Sequence, residues 1–87
     1  SPNEKNHWTA KQAYIALGNL LSAAAVLRID TCAIEGFEKD RVNELLNLES
    51  KGYSATFMVA IGYRSENDQN QFLKKVRTPI DHLFETV

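Results

Sequence analysis

The chain has 87 residues, with 10 basic and 11 acidic side chains and a net charge of −1. This balance argues against a nucleic-acid module with a broadly basic face. The hydrophobic content of 44% is too high for a disordered protein, and no apolar run is long enough to span a membrane. A single cysteine, Cys32, excludes a disulfide framework and suits a reducing, cytoplasmic setting.

The first four residues, Ser-Pro-Asn-Glu, have the pattern of a helix N-terminus. Ser1 is placed to cap the first turn, and Glu4 to reach back as in a capping box. We expect one long helix from there to about Leu27. Residues 13–27 are apolar nearly all round and rich in small side chains, which is typical of a helix buried on most sides. The rest of the chain is too short to surround it, so covering segments are expected in the same subunit or in a second one.

The remaining elements are predicted as strand, helix, strand and tail. Residues 31–34 form a short apolar strand, and residues 37–48 have helical spacing of apolar side chains. Residues 54–63 are apolar on both faces, as in an interior strand covered on two sides. Regular structure is expected to end at Thr78 and Pro79. The apolar tail that follows is expected to dock on another surface.

Two places can carry chemistry. Residues 34–37 lie at a strand-to-helix junction, where outward backbone N–H groups can bind an electron-rich atom and Gly36 lets a flat ligand come close. The alternative is an ordinary turn with a solvated glutamate. Lys74, Lys75 and Arg77 form a basic cluster, and in an extended segment Lys75 and Arg77 share one side, where both can hold a phosphate. The alternative is an ordinary charged surface.

Other reactive residue types lack the spacing that catalysis or metal binding needs. Cys32 is expected to be a buried structural cysteine rather than a nucleophile. His7 and His82 have no metal-ligand spacing. Trp8 and Tyr14 are expected to pack rather than to bind a cofactor. No catalytic side chain and no metal site are therefore predicted.

Five short motifs, in order, resemble those of one family. They are Trp-Thr-Ala-Lys-Gln at 8–12, Gly-Asn at 18–19, Ile-Glu-Gly-Phe at 34–37, Lys-Gly-Tyr at 51–53, and Lys-Val-Arg at 75–77 followed by a ten-residue tail. Together they resemble the nitroreductase family of flavoproteins, in particular oxygen-insensitive NAD(P)H nitroreductases of the enteric-bacterial type.

The resemblance covers the whole chain and implies an α+β fold class. Residues 1–87 would be a C-terminal fragment of the nitroreductase fold, comprising a long core helix, a short strand, a short helix, a central strand and an extended C-terminal tail. They would form the C-terminal part of a single domain whose N-terminal part is absent.

Family members are FMN-dependent homodimers, so the resemblance implies FMN as cofactor, with NADH or NADPH as electron donor. The segment matching Ala33, Ile34, Glu35 and Gly36 lies against the isoalloxazine ring. The Glu35 amide would hydrogen-bond the reactive flavin nitrogen, and the Gly36 amide would contact the neighbouring carbonyl.

The resemblance also implies that Lys75 and Arg77 hold the FMN phosphate. The helix at 9–27 would lie at the homodimer interface, and the tail at 78–87 would wrap onto the partner subunit. Close relatives usually carry proline where this chain has Ala33. The arginine and serine that complete the phosphate site are absent, as are the residues that hold the pyrimidine edge. We therefore expect the isolated chain to bind FMN weakly or not at all.

The implied function is an FMN-dependent NAD(P)H oxidoreductase that reduces small-molecule acceptors, nitroaromatics or quinones, by ping-pong hydride transfer. The fragment alone is expected to be inactive. One alternative is a non-catalytic dimerisation or interaction module. Another is a flavin or pteridine reductase of the same fold. No nucleic acid and no membrane are expected as partners.

Overall fold

The computed structural model describes the backbone of residues 1–87 and all side chains except that of residue 2. The helices and strands follow in the order α1 (Pro2–Val26), β1 (Asp30–Ile34), α2 (Lys39–Leu45), β2 (Met58–Gly62) and α3 (Ile80–Leu83). Short 3-10 turns occupy Glu49–Lys51 and Gln69–Phe72. The α+β fold class predicted from the sequence is confirmed.

The long helix begins as the sequence predicts. The Ser1 hydroxyl accepts the Glu4 backbone N–H at 3.3 Å, and the Glu4 carboxylate accepts from the terminal ammonium of Ser1 at 2.9 Å. These contacts satisfy groups that the first turn of a helix leaves unpaired. The helix ends at Val26, and Arg28, with a φ of 58°, takes a left-handed conformation just before β1. The direction of the chain into the sheet is thus set at this turn.

The sheet consists of β1 and β2 paired antiparallel, with Asp30 opposite Gly62 and Ile34 opposite Met58. The predicted strand at 31–34 is confirmed to within one residue. The predicted strand at 54–63 is shorter, because β1 offers only five residues for pairing. The expectation of an interior strand covered on both faces is wrong for this chain, since β2 has a single neighbour and Ile61 is 55% exposed.

A buried asparagine joins α2 to the chain that enters β2. Asn43 is 5% exposed, and its Oδ1 accepts the Ala55 backbone N–H at 2.7 Å. Its Nδ2 donates to the Ser54 hydroxyl at 3.5 Å, and its backbone carbonyl accepts the Leu48 N–H at 2.9 Å. The helix predicted over 37–48 is therefore shorter, because its last carbonyls are taken up by the turns that follow. The one-turn helix α3 was not predicted.

Much apolar surface lies open in this chain. Its accessible area is 8166 Å², whereas a folded monomer of this mass exposes about 5,200 Å². Its radius of gyration is 16.4 Å, against about 12 Å for a compact domain of this length. The only apolar side chains buried, among those described, are Leu17 and Ala24. This agrees with the expectation that the rest of the chain is too short to surround α1; its burial by further segments stays a prediction.

Large apolar side chains are exposed at both ends of the chain. Those that are more than half exposed outside the sheet include Trp8, Ile15, Val26, Leu27, Phe72, Leu73, Val76, Ile80, Leu83 and Phe84. Exposed apolar side chains mark interaction sites in folded proteins where they form a contiguous patch. None of the helices, over the residues described, is long and apolar enough to cross a membrane.

Substituting Asn43 tests the link between α2 and β2. Asn43→Ala leaves the Ala55 N–H without its acceptor, and an orphaned buried donor costs about 1–3 kcal/mol. We expect the free energy of unfolding, measured by denaturant titration of the protein expressed from its complete reading frame, to fall by this amount. Ser54→Ala removes only the long contact to the same side chain and serves as the control, with a loss below about 0.5 kcal/mol. Equal losses in the two variants would contradict this assignment.

Candidate functional site

The junction after β1 presents an open backbone surface. Apart from its chain neighbours Glu35 and Phe37, a Cβ added at Gly36 would meet no atom within 4 Å. The Phe37 N–H donates to the Glu35 carbonyl at 3.0 Å and turns the chain toward α2. Outside the helices and the sheet, no described hydrogen bond is donated by the Glu35 or Gly36 N–H. Two adjacent backbone N–H groups therefore have no described acceptor, at a residue that itself carries no side chain.

The junction is connected to α1 through Glu35. The Tyr14 hydroxyl donates to Glu35 Oε2 at 2.6 Å, and the Tyr14 ring packs on Phe57 with centroids 5.1 Å apart and a tilt of 51°. This hydrogen bond is the largest of the causes that raise the pKa of the Tyr14 phenol, ahead of its partial burial and the nearby carboxylate charge. The phenol therefore remains a donor to Glu35 over the neutral pH range.

A shallow concavity of about 400 Å³ lies on the sheet. Its walls come from the start of β1, the end of β2, and the polar segment that follows. The lining residues are Asp30, Thr31, Cys32, Ala60, Ile61, Gly62, Tyr63, Arg64, Asp68, Asn70, Gln71 and Lys75. The concavity therefore joins β1 to the basic segment singled out in the sequence.

One of the two cations in this concavity is neutralised by a partner. Asp30 accepts the backbone N–H of Arg64 at 2.9 Å, and the Arg64 guanidinium donates to its other carboxylate oxygen. The Arg64 hydrogen bonds lower the pKa of Asp30 to about 2, and the same contact raises the pKa of Arg64. Lys75 forms no ion pair among the described residues. It is therefore the cation at this surface that is open to an anionic ligand.

The structure brings together some of the predicted site residues and separates others. Ala33 and Ile34 form the end of β1, and Glu35 and Gly36 follow directly. Lys75 lies on the concavity at the start of the same strand.

Arg77 does not line this concavity. Its Nη1 donates to the carbonyl of Val76 at 2.9 Å. Like Lys75, Arg77 has no acidic partner among the described residues. Their assignment as phosphate-binding residues stays a prediction, as does the contact of residues 33–36 with a flavin.

Two further sequence predictions have clear outcomes. The expectation that Cys32 is buried is wrong, because this cysteine is exposed and lines the concavity. Tyr14 packs, as predicted, but its contact with Glu35 was missed. The two residues are 21 positions apart, and no local sequence signal indicates that they meet. The described residues include no cluster of His, Cys, Asp or Glu suited to a metal ion.

Taken together, the fold and the site define an α+β protein whose backbone donors and unpaired cations suit an electron-rich, anionic organic ligand. A profile of the nitroreductase family matches residues 1–63. The chain belongs to the nitroreductase family, so the resemblance seen in the sequence is confirmed.

Relatives support this assignment. A Staphylococcus haemolyticus protein, provisionally named an NAD(P)H nitroreductase, is 39% identical over 84 residues, which is 92% of this chain and 37% of the relative. A Staphylococcus saprophyticus protein of the same provisional name is 40% identical over 90% of this chain and 36% of its own. One from Bacillus subtilis is 46% identical over 66% of this chain and 28% of its own. The chain spans about a third of the length of the curated relatives it matches.

The contact between Asp30 and Arg64 predicts a dependence of stability on acid. Because the pKa of Asp30 is lowered from 3.8 to about 2, the ionised carboxylate stabilises the folded state above pH 3.8. This stabilisation disappears as the pH falls through 2. We expect Asp30→Asn to lower the unfolding midpoint at pH 6, with a difference from wild type that shrinks toward pH 2. Thermal unfolding across this range measures the effect.

Asp81→Asn provides the control for this titration, since Asp81 is exposed and forms no described ion pair. Its midpoint should follow that of wild type over the whole range. An Asp30→Asn deficit that stays constant from pH 6 to pH 2 would contradict the assigned pair.

Proposed function

We propose that residues 1–87 form the C-terminal part of a subunit of an FMN-dependent NAD(P)H oxidoreductase that reduces nitroaromatics or quinones. The observation that carries this proposal is the open junction at Glu35 and Gly36 in a chain of the nitroreductase family. The names of the relatives support NADH or NADPH as the electron donor.

The residues after β1 fit the ring system of such a cofactor. A flat ring approaches a backbone closely only where no side chain intervenes, and Gly36 carries none. The N–H groups of Glu35 and Gly36 are the donors proposed to face the ring nitrogen and its neighbouring carbonyl. Ala33 and Ile34 form the strand end that carries these donors and would lie against the ring. No acid or base side chain is required of the chain.

The basic segment fits the phosphate end. Gly36 lies four residues after Cys32, which is at most about 14 Å along an extended chain. Lys75 lines the same concavity as Cys32. The cofactor would therefore extend along β1 from the junction toward this lysine. Arg77, two residues further on, is proposed as the second phosphate ligand, and it is exposed and lacks an acidic partner among the described residues.

The proposed chemistry follows from where the ring and the phosphate of the cofactor would bind. Bound FMN supplies the hydride and electron transfer, while the chain binds and orients it. The nicotinamide donor and the acceptor are proposed to use the same open face in turn, which is ping-pong kinetics. The N–H groups of Glu35 and Gly36 would serve as donors to electron-rich atoms of the bound ring.

A second copy of the subunit is the proposed cover for much of the exposed apolar surface. Leaving α1 and the tail uncovered keeps Ile15, Leu83 and Phe84 in water at 60–75% exposure. Burial of such side chains stabilises by about 1.5–3 kcal/mol each. A homodimer formed through α1 and residues 78–87, together with the N-terminal part of each subunit, would supply that burial. The isolated chain is expected to bind FMN weakly and to be inactive.

The exposed apolar surface also suits a non-catalytic dimerisation module, in which Lys75 and Arg77 are surface charges. The placement of Arg77 away from the concavity favours this second candidate. The two functions differ in whether FMN binding depends on these cations. A flavin or pteridine reductase of the same fold would differ only in its acceptor.

Charge removal at the basic segment separates the two candidates. A hydrogen bond to a charged group contributes about 1.5–3 kcal/mol, or roughly tenfold to a hundredfold in affinity. In the protein expressed from its complete reading frame, Lys75→Ala and Arg77→Ala should each weaken FMN binding by this factor. Quenching of flavin fluorescence gives the dissociation constant, and circular dichroism checks that the fold is unchanged.

Lys74→Ala is the matched control, since it removes a neighbouring positive charge that does not line the concavity. Its FMN affinity should lie within about twofold of wild type, because exposed charges at this distance contribute little. Equal effects of Lys74→Ala and Arg77→Ala, or no effect of any of the three, would contradict the proposed phosphate site.

A further inference from the structure

We propose that Tyr14 is a positioning residue for the junction, holding the Glu35 side chain so that the Glu35 and Gly36 N–H groups stay aligned beside the open space. This inference rests on the proposed function, since the aligned donors matter only if a ligand uses them. Neither the sequence pattern nor the relatives' names assign a role to Tyr14.

The first step is the anchoring of the junction. The Glu35 side chain and the Glu35 N–H share one Cα, so fixing the carboxylate limits how far the backbone can rotate. On one side the junction is held by the pairing of Ile34 with Met58, and on the other by the turn at Phe37. The 2.6 Å hydrogen bond from Tyr14 adds a third attachment, which lies between the other two and acts on Glu35 itself.

The second step is the rigidity of the anchor. Tyr14 lies in the middle of the 25-residue helix α1, where the backbone is held by its own hydrogen bonds. Its ring packs on Phe57, the residue that immediately precedes β2. Such ring pairs contribute beyond their buried area and favour a fixed tilt. The hydroxyl is thereby held in place. Through its hydrogen bond, Glu35 is attached both to α1 and, by way of the ring pair, to the chain that enters β2.

The third step concerns charge. Glu35 is exposed and has no cationic partner among the described residues, so the Tyr14 hydroxyl is its one described side-chain partner. Released from Tyr14, the carboxylate would be free to turn toward Gly36, where no residue other than its chain neighbours lies within 4 Å of an added Cβ. A carboxylate in that space repels an electron-rich ligand. Tyr14 therefore keeps the negative charge to one side as well as fixing the backbone.

The experiment is a double-mutant cycle on FMN binding in the protein expressed from its complete reading frame. Tyr14→Phe keeps the ring on Phe57 and removes only the hydroxyl. We expect it to weaken FMN binding roughly threefold to tenfold in the wild-type background. In the Glu35→Ala background the same change should cost less than about twofold, because the residue that Tyr14 positions is gone.

Two further variants complete the cycle. Glu35→Gln still accepts a hydrogen bond from Tyr14, so Tyr14→Phe should weaken FMN binding in that background too. Tyr53→Phe is the matched control, since the Tyr53 hydroxyl forms no described hydrogen bond, and its FMN affinity should equal that of wild type. A Tyr14→Phe loss of the same size in the wild-type and Glu35→Ala backgrounds, or no loss in either, would overturn the proposal.

A spectroscopic readout tests the contact independently of the cofactor. The difference between the ultraviolet phenolate titrations of wild type and Tyr14→Phe isolates Tyr14. Its pKa should be raised in wild type and fall toward the ordinary value of 10.0 in Glu35→Ala. A Tyr14 titration unchanged by Glu35→Ala would overturn the inference. A wild-type protein that binds no FMN overturns the proposed function and this inference together. The titration of wild-type protein with FMN is sufficient to reveal that case.

Discussion

The antiparallel pairing of β1 with β2 is the contact on which the rest of this structure depends. Because Asp30 lies opposite Gly62, Arg64 comes within reach of Asp30 and closes one end of the sheet. At the other end, the pairing stops at Ile34, and no described hydrogen bond is donated by the N–H groups of residues 35 and 36 beyond it. Both candidate ligand-binding features are thus consequences of one register: the concavity at one end of the strands and the open junction at the other.

That sheet is poorly covered, and this shapes the functional proposal. Leu17 and Ala24 are the only buried apolar side chains described, while α1 and the tail keep large apolar groups in water. Hydrophobic burial is the main favourable contribution to folding, so we propose that further polypeptide covers this surface. Two observations agree with such a cover, namely membership of the nitroreductase family and a length near one third of the relatives. The site argued above is accordingly proposed as one wall of a larger one.

The sequence predicts well what depends on near neighbours. The capping box of α1, the strand at β1 and the break at Glu35 are encoded within a few residues each, and all three appear where expected. Contacts between distant residues are not encoded in this way. Tyr14 meets Glu35 across 21 positions and Arg64 meets Asp30 across 34, and both contacts follow from strand register and helix placement. The sequence also does not predict that Cys32 is exposed or that β2 is short. An apolar composition indicates that a segment is buried, but it does not identify the polypeptide that covers or pairs with it.

The central claim is that this chain contributes to a flavin site, and the visible absorbance spectrum tests it most directly. The protein should be purified after expression from its complete reading frame. We expect the absorption bands of oxidised flavin in stoichiometric amount, and their bleaching when NADH or NADPH is added without oxygen. A colourless protein that remains without flavin after FMN is added would contradict the claim. Glu35, Gly36, Lys75 and Arg77 would then be a turn and a charged surface of an interaction module.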